Sequence, residues 1–169
     1  MNFNQRTNHY PGIYNLARKN YLGRHLMKMK KLLPNDYDFF PKTYMLPFDY
    51  SDFREDAIKA KNPTWIVKPE DQCQGRGIYL TRNWEHIKAN EHTVVQKYLA
   101  KPHLIDGFKY DLRLYVYVNG INPLRVYIYK DGLARFATRK FKKAADNNLD
   151  NLFMHLTNYA INKESEHYI

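Results

Sequence analysis

The distribution of apolar and polar residues predicts two short strands on either side of a loop near the middle of the chain. Residues 65–67 are apolar and lead into Lys68, and residues 78–80 are apolar again. The loop between them contains QGRG at residues 74–77, and glycine permits positive φ and close approach of the backbone to an anion. Lys68 and Arg76 would supply positive charge on either side. Gly-Arg-Gly also occurs in plain hairpins, so this stretch alone leaves phosphate binding and an ordinary loop equally open.

The longest alternating pattern in the chain predicts a strand with two different faces over residues 108–118. Lys109, Asp111 and Arg113 share one face, because alternate side chains of a strand point the same way. We expect that face to border a cleft in which Lys109 and Arg113 can hold phosphates. The alternative is a surface row of ion pairs, which stabilises little. The other face is apolar and is expected to pack on a core through Leu112, Leu114, Val116 and Val118.

Weaker patterns predict further strands at residues 44–46 and 93–99. The second of these runs into a proline-bounded linker whose backbone could read a purine edge, although an ordinary edge strand is the better interpretation of this stretch alone. Residues 124–129 and 133–138 are predicted to form a hairpin joined by an Asp131-Gly132 turn. Arg135 would then lie just past the turn, where it could meet a carboxylate.

Two helices are predicted before the loop, and one helical turn after it. Apolar residues at helical spacing indicate a helix over residues 16–33, capped by Asn15 and ended by Pro34. Asp52 is expected to cap a shorter helix that continues to Lys61, and residues 84–87 are typical of a helical turn. The first helix is basic, and its charged residues fit either a solvated face or a docking surface.

Composition favours a folded domain with an anionic partner. The 169 residues are 44% hydrophobic and 15% aromatic, which is too rich in apolar side chains for a disordered chain. The net charge of +10 suits nucleic acid, an acidic protein or a membrane surface. No apolar run is long enough to span a bilayer, and the N-terminal residues lack the apolar core of a signal peptide.

The cysteine and histidine residues do not predict a metal site or a nucleophile. Cys73 is the only cysteine, so an intrachain disulfide is excluded and a reducing compartment is favoured. No histidine stands at a zinc-like spacing from it. We interpret His155 as a packed, hydrogen-bonding residue rather than a general base. Thr157 and Asn158 are small polar residues suited to a cleft, although each taken alone is more often a turn or cap residue.

Four motifs in the same order and spacing resemble the tubulin tyrosine ligase-like family. They are WIVKP followed by CQGRGI, VVQKYL followed by FKYDLR, PLRVYIYKDGLARFAT, and NLDNLFMHLTNYAINK. The resemblance covers roughly residues 8–163, and CQGRGI and GLARFAT are most similar to the polyglutamylase branch. It implies an α+β, ATP-grasp-like fold over residues 1–169. Within it, the resemblance divides the chain into a basic N-terminal segment (1–63), a central segment (64–100) and the start of a C-terminal segment (101–169).

The resemblance also implies a role for each site residue. Lys68 would contact ATP phosphates, Gln74 and Gly75 would close over them, and Arg113 would lie near the terminal phosphate. The linker that reads adenine would be Gln96, Lys97, Tyr98 and Leu99. The rest of the nucleotide site would be Lys109, Tyr110, Asp111, Thr157 and Asn158. The residues facing glutamate or the acceptor carboxylate would be Gln74, Arg135 and Tyr159, with Arg113 and Arg135 as the catalytic pair.

The implied reaction is ATP-dependent addition of glutamate to glutamate side chains of tubulin C-terminal tails, through an acyl phosphate. Free glutamate, ATP and Mg²⁺ would be required, with no nucleic-acid or membrane partner. The expected location is the cytoplasm and cytoskeleton, including the cilium, axoneme or basal body. Two alternatives stay open, namely glycine as the added amino acid and a nonenzymatic microtubule-binding module. Nucleic-acid binding is suggested by charge and aromatic content only, since no recognised motif is present.

One departure from the family pattern concerns magnesium. The family's metal ligands, an Asp and a Glu-x-Asn pair, lie in a later segment ending LLEVN-SPS, whereas this sequence stops at Ile169. We therefore expect the 169 residues to be a fragment that binds nucleotide weakly and does not ligate alone, because magnesium neutralises phosphate charge. An incomplete sheet would also expose apolar surface, so the isolated chain is expected to aggregate.

Overall fold

Two antiparallel sheets organise the part of the chain that the computed structural model describes, residues 4–5 and 9–168. The first sheet contains β1 (Thr43–Met45), β2 (Trp65–Pro69), β3 (Tyr79–Thr81) and β4 (Thr93–Lys97) in the order β1-β4-β2-β3. The second contains β5 (Leu104–Ile105), β6 (Phe108–Ile121) and β7 (Leu124–Lys140) in sequence order. The helices are α1 (Tyr14–Ala17), α2 (Lys19–Leu32), α3 (Tyr50–Lys59), α4 (Leu152–His155) and α5 (Tyr159–Asn162). The predicted α+β class is confirmed, and the arrangement agrees with an ATP-grasp-like fold.

The expectations for the two ends of the chain have different outcomes. Residues 1–3 and 6–8, on which the signal-peptide interpretation partly rests, lie outside the described residues. No helix of the described part is long and apolar enough to cross a bilayer. The segment predicted over residues 1–63 contributes β1, which pairs with β4 in the first sheet.

One face of the first sheet packs against α3 to form an aromatic core. Strand alternation sends Trp65 and Val67 to this face, where Phe53 from α3 is fully buried. The Phe53 and Trp65 rings meet edge to face with their centroids 5.1 Å apart. The Tyr44 hydroxyl donates a hydrogen bond to the Asp56 carboxylate at the edge of the cluster. This core fixes β2, and therefore the point at which the chain enters the glycine loop.

On the opposite face of the same sheet, α2 covers one end and the C-terminal segments cover the other. The part of the face between them is polar. Helix α2 packs on the β1 side, where Gly23 lies against Thr43 and Met45. The C-terminal segments pack on the β3 side and bury Ile66, Leu80, Tyr98 and Leu156 together. Lys68 follows Ile66 by two residues and so emerges on this face, opposite Val94 and beside Gln96.

Both predicted helix caps are wrong. Asn15 lies inside α1 and accepts a hydrogen bond from His25 instead of capping α2. The predicted continuous helix breaks at Arg18, whose backbone is extended, so that Lys19 begins a new helix. Asp49 rather than Asp52 precedes α3, and its carboxylate accepts from the Met45 amide before the helix. Local propensity did not distinguish these positions, because the deciding partners come from other elements.

The predicted Asp131-Gly132 hairpin turn is also wrong. The chain reverses at Asn122-Pro123, and β7 continues as one strand through Asp131 and Gly132, with an irregularity in its pairing to β6 between Ile128 and Gly132. Gly132 pairs with Leu114, and a Cβ on Gly132 would lie only 2.5 Å from the Arg113 carbonyl oxygen. The glycine is therefore required for close approach of β6 to β7 and not for a turn, because β6 is long enough to pair with the whole of β7.

Replacing Gly132 by alanine is expected to destabilise the β6–β7 pairing by about 1–3 kcal/mol, because the strands must separate to admit the methyl group. Hydrogen exchange of β6 and β7 amides would then accelerate, while exchange in the first sheet stays unchanged. Lys130→Ala, an exposed change on the same strand, is the control. Unchanged exchange in Gly132→Ala would show that the strands have room for a side chain.

The expected packing of the apolar face of β6 is wrong for the described residues. Leu112 is 63% exposed and Leu114 is 58% exposed, and the residues beyond them in the hairpin are largely exposed as well. The start of β6 is held against α4, and near its other end the Val118 carbonyl accepts a hydrogen bond from the Tyr10 hydroxyl at 2.7 Å. The charged face near Lys109 is therefore the more enclosed part of the strand. Aggregation of the isolated chain remains a prediction.

Candidate functional site

Two lysines from different sheets meet on the polar face of the first sheet. Lys68, at the end of β2, donates to the Gln96 side-chain oxygen at 2.6 Å. Lys109, on β6, donates to the His155 carbonyl at 2.7 Å and to the Tyr98 hydroxyl at 3.2 Å. The Lys109 ammonium also lies 4.7 Å from the centre of the Tyr98 ring. The site is therefore built where the two sheets adjoin, which agrees with the predicted convergence of Lys68 and Lys109.

The electrostatics of the two lysines indicate positive charge that lacks a matching carboxylate. The pKa of Lys109 is lowered to about 8, chiefly by burial and also by repulsion from Lys68, against an opposing effect of Asp111. Burial and repulsion from Lys19 likewise hold the pKa of Lys68 below its ordinary value. Neither Lys68 nor Lys109 takes part in an ion pair among the described residues. Such a pair of cations is stabilised by an anionic ligand.

The glycine loop follows Lys68 and Pro69 along the chain and has a backbone that suits an anion. We define the lid as residues 70–77, the connection from β2 to β3. Gln74 and Gly75 both have positive φ, at 59° and 88°. Within the described part of the chain, their amides donate to no protein acceptor. Exposed amides in a positive-φ turn form a concave donor surface for phosphate oxygens.

The tip of the lid rests against the C-terminal segment. A Cβ on Gly75 would lie 2.6 Å from the Ile161 Cδ1 atom and 3.0 Å from the Asn158 Cγ atom. Gly75 is buried by this contact, whereas Gln74 and Arg76 are exposed. The structure therefore brings the predicted residues Gln74, Gly75 and Asn158 together at one end of the site.

Asp111 and Arg135 form a bidentate ion pair across β6 and β7. The strand register places them opposite each other, and the guanidinium donates to the carboxylate at 2.7 and 2.8 Å. Thr157 donates a third hydrogen bond to the same carboxylate. Burial opposes ionisation of Asp111, but the hydrogen bonds from Arg135 and Thr157 outweigh it and keep the pKa below its usual range. Arg135 does meet a carboxylate, although the predicted hairpin turn is absent.

Arg135 also borders an open cleft of about 1320 Å³ on the outer side of β7. Thr157 and Tyr159 line the same cleft. Further basic side chains on the lining are Arg139, Lys140 and Lys142. Lys68 and Lys109 are not on this lining, so the predicted residues divide into a lysine group and a cleft group. Asp111 and Thr157 connect the two groups through their hydrogen bond.

The predicted linker residues have different environments. The Gln96 amide is engaged by Lys68 and by the Thr43 hydroxyl. Tyr98 is 5% exposed and its hydroxyl contacts His155 and Lys109, so its side chain belongs to the core. Lys97 and Leu99 are exposed. The backbone of β4 pairs with β1 on one side and with β2 on the other, so β4 is not an edge strand, and the side chains of Lys97 and Leu99 are the parts of this segment accessible to a base.

Two predicted residues on β6 lie away from the lysine pair. Tyr110 is on the opposite face of the strand, where its ring stacks on Phe136 and its hydroxyl contacts His103. Arg113 is exposed and stands next to Asp111 on the charged face, where it favours the ionised carboxylate. Strand alternation therefore supports Lys109, Asp111 and Arg113 as one row and separates Tyr110 from it.

The structure also places residues that the sequence pattern did not single out. Lys19 binds the backbone at the start of the lid, and no local signal distinguishes it from the other lysines of α2. Asn162 is fully buried and joins Thr138 to the Leu156 and Asn158 carbonyls. His155 is fully buried with both ring nitrogens in hydrogen-bonding contact, which confirms its interpretation as a packed residue.

The described residues do not fit a magnesium site by themselves. No group of three or more His, Cys, Asp or Glu able to hold a metal occurs among them. Asp111, the carboxylate that acts electrostatically on Lys109, is already engaged by Arg135 and Thr157.

Comparison with known proteins gives a consistent assignment. The model of the tubulin-tyrosine ligase family matches residues 1–169. The chain is 51% identical over 166 residues to a protein named probable beta-tubulin polyglutamylase from Tetrahymena thermophila, covering 97% of this chain and 14% of that protein. It is 50% identical over 165 residues to human tubulin polyglutamylase TTLL13, covering 98% of this chain and 20% of the relative. Tubulin polyglutamylase TTLL7 from Xenopus tropicalis is 43% identical over 168 residues, with coverages of 97% and 18%. The chain thus spans a fifth or less of these relatives.

Proposed function

The chain belongs to the tubulin-tyrosine ligase family, and from that premise we propose that it supplies nucleotide-binding residues of an ATP-dependent ligase that adds glutamate to the acidic C-terminal tails of tubulin. The relatives that support glutamate as the donor are all named tubulin polyglutamylases. Glycine is therefore the less favoured donor. Such an enzyme would act in the cytoplasm on the cytoskeleton, and cilia, axonemes and basal bodies are the microtubule structures we propose as its sites.

The observation that carries this proposal is the uncompensated lysine pair beneath the lid. Lys68 and Lys109 lie close enough to depress the pKa of Lys109, and their hydrogen-bond partners are neutral oxygens. A triphosphate would remove this repulsion and replace it with attraction. The amides of Gln74 and Gly75, which have no protein acceptor among the described residues, would add neutral donors to the same ligand. A nucleotide substrate thus accounts for features that cost stability in the free protein.

The proposed reaction has two balanced steps. A carboxylate oxygen of the acceptor glutamate attacks the terminal phosphorus of ATP, the bond to the ADP oxygen breaks, and an acyl phosphate forms. The amine of free glutamate then attacks the acyl carbon, inorganic phosphate leaves, and the nitrogen loses a proton to give an isopeptide bond. Lys68 and Lys109 would hold the phosphates, with Arg113 beside the terminal one. Magnesium, when bound, would supply further neutralisation of phosphate charge.

The cleft beside β7 is proposed to receive the acidic reactants. Arg135 and Tyr159 border it, and Gln74 and Asn158 lie at the adjoining end of the lid. A lining that includes Arg139, Lys140 and Lys142 suits the carboxylate-rich tails of tubulin, because cationic surfaces steer polyanions. The cleft and the lysine group would then hold acceptor and nucleotide on the two sides of the Asp111–Thr157 contact.

A second candidate function is binding to microtubules without catalysis. Helix α2 exposes a stripe at helical spacing made of Tyr21, Arg24, Lys28 and Lys31. Such a stripe is suited to acidic protein surfaces whether or not a reaction follows. This candidate accounts for the basic helix but not for the lid or for the buried lysine pair.

Incorporation of labelled glutamate distinguishes the two functions. The purified protein in its full natural length would be incubated with ATP, magnesium, radiolabelled glutamate and stabilised microtubules, with and without their acidic tails. Incorporation that requires both ATP and the tails supports the ligase. Sedimentation with microtubules without incorporation would overturn it in favour of the binding module. Incorporation of labelled glycine but not glutamate would overturn the assignment of the donor.

The affinity for ATP is expected to fall as the pH rises above about 8, because Lys109, with a pKa of about 8, loses its proton in the free protein. Each further pH unit should weaken binding by up to about tenfold until another group titrates. The unfolded chain retains the lysine proton up to about pH 10.4, so folding itself becomes more favourable over the same interval. Calorimetric binding of ATP between pH 7 and 9.5 measures the first effect.

Lys109→Arg is the matched variant for this pH dependence, since the guanidinium stays protonated throughout the range. It should remove the inflection near pH 8 even if its affinity at pH 7 is lower. An inflection of the same size in Lys109→Arg would assign the titration to another group and contradict a phosphate contact by Lys109.

A further inference from the structure

We propose that Lys19, at the start of α2, is a positioning residue that holds the beginning of the lid in the conformation required for the nucleotide. This inference rests on the proposed function for its kinetic consequence, but its structural part concerns the nucleotide-free protein. Lys19 lies outside the residues to which the sequence pattern assigned a role, and it acts through the lid backbone rather than on the substrate.

The contact is a cage of backbone carbonyls around one ammonium group. The Lys19 ammonium donates to the carbonyl oxygens of Pro69 and Gln72, each at 2.5 Å, and to that of Glu70 at 3.3 Å. An ammonium has three donors, so these carbonyls use its full capacity. The neighbouring residue Asn20 donates to the Glu70 carboxylate. Lys19 and Asn20, in the first turn of α2, therefore hold the chain by hydrogen bonds at the point where β2 ends and the lid begins.

Interactions within α2 do not favour a lysine at position 19. Lys19 is the first residue of α2, and the first turn contains no acidic residue. A cation at a helix N-terminus opposes the helix dipole and is unfavourable there. Burial also lowers the pKa of Lys19, although Cys73, Asp71 and Glu70 counteract it. Neither effect favours a lysine at this position, so the hydrogen bonds to the lid backbone are what stabilise the ammonium there.

Peptide geometry shows what the cage does to the lid. In a planar trans peptide the carbonyl and the following N–H point in opposite directions. Drawing the carbonyls of Glu70 and Gln72 towards Lys19 therefore turns the amides of Asp71 and Cys73 away from α2. The Glu70 amide is itself fixed by a hydrogen bond to the His92 carbonyl at 3.0 Å. Lys19 thus sets the orientation of the peptide groups that lead into the positive-φ turn at Gln74 and Gly75.

The far end of the lid has a separate anchor, so the two ends can be distinguished experimentally. Gly75 packs against Asn158 and Ile161 of the C-terminal segment, whereas Gly77 folds back on the Pro69 ring at the Lys19 end. Arg76 lies between these contacts and is exposed, which makes the Arg76–Gly77 bond accessible to trypsin once the loop can adapt to the protease. Release of the lid at Lys19 should therefore be detectable at Arg76.

The test compares Lys19→Met with the matched control Lys28→Met on the same helix, in the full-length protein without nucleotide. We expect Lys19→Met to accelerate tryptic cleavage after Arg76 by about fivefold or more, since proteolysis follows the population of the open loop. Lys28→Met should cleave at the wild-type rate. The thermal transition of Lys19→Met confirms that the variant is folded before cleavage is compared. An unchanged cleavage rate in folded Lys19→Met would overturn the proposal.

Kinetics separate positioning from a direct contact with phosphate. Lys19→Met should raise the KM for ATP by about tenfold with kcat within about twofold, because a disordered lid reduces the fraction of protein ready to bind. If Lys19 instead touched phosphate, Lys19→Arg would restore the KM and neither variant would alter cleavage of the free protein, which would overturn the proposal. If the wild-type protein proved not to bind ATP, cleavage at Arg76 would still report on the lid, so a failure of the proposed function is recognisable by itself.

Discussion

Replacing Lys68 by methionine is expected to lower ATP-dependent incorporation of glutamate by about 100-fold or more, because it removes a preorganised cation from the phosphate site. The ammonium is held by Gln96, whose amide is held in turn by Thr43, so its position is fixed before a ligand arrives. Methionine retains much of the aliphatic length and volume of lysine, and the adjoining Val67 core should be unaffected. The effect should appear mainly in the KM for ATP if Lys68 contacts ground-state phosphates, and in kcat if its contact forms during transfer.

A second consequence of Lys68→Met concerns Lys109. Repulsion from Lys68 contributes to the depressed pKa of Lys109, so the variant should move that pKa upward and shift the pH dependence of ATP binding to higher pH. Lys61→Met, an exposed change shortly before β2, is the control for loss of one positive charge. Full activity in Lys68→Met, or an equal loss in Lys61→Met, would contradict the assignment of the lysine pair to nucleotide binding.

Much of the candidate site could be predicted from the strand pattern, because alternation along a strand determines the face to which each side chain points. Placing residues 65–67 and 78–80 in strands makes the lid a connection between neighbours, and the structure confirms both strands within two residues. Alternation over β6 likewise puts Lys109, Asp111 and Arg113 on one face without any knowledge of the partner strand. The same rule separates Tyr110 from them, and the family-based assignment of Tyr110 did not take it into account.

The features that could not be predicted from the sequence are those that depend on contacts between residues far apart along the chain. The Asp131-Gly132 dipeptide is a strong turn signal, but Gly132 is used for close strand approach and the chain reverses at Asn122-Pro123 instead. The helix breaks at Arg18, and the next residue, Lys19, contacts residues 69–72, which lie some fifty residues further along the chain. Such contacts leave no periodic signal, because they involve one side chain and backbone carbonyls.

The two sheets contribute different properties to the candidate site. The first sheet is rigid around its aromatic core and fixes Lys68 and Gln96, whereas the outer part of the β6–β7 hairpin is exposed on both faces. The inner part of β6 and β7 is held by α4, α5 and Asn162, and it is here that Lys109, Asp111 and Arg135 lie. The site therefore occupies the part of the second sheet that is held in place by both the first sheet and the C-terminal segments.

Separate replacement of Asp111 and Arg135 by alanine is expected to reduce kcat by about 30-fold each, because each change leaves its partner charge without its bidentate contact. Arg135 lies on the cleft lining, and Asp111 together with Thr157 holds its guanidinium in place. The pair is only partly buried, so its effect on stability should be small once solvent screening is considered. Arg82→Ala, which breaks an exposed ion pair with Asp146, is the control and should retain activity.

The double variant shows whether the two residues act as one unit. If Asp111 serves by orienting Arg135, the double alanine variant should be no more than about threefold slower than the slower single variant, since the second change removes a group that is already misplaced. Independent roles would instead give multiplied losses approaching about 1000-fold. That result would assign Asp111 a contact of its own with nucleotide, as the family resemblance implies, and would contradict a purely orienting role. The structure favours the coupled outcome, because both oxygens of Asp111 are engaged by protein donors and their geometry matches the fork of the arginine.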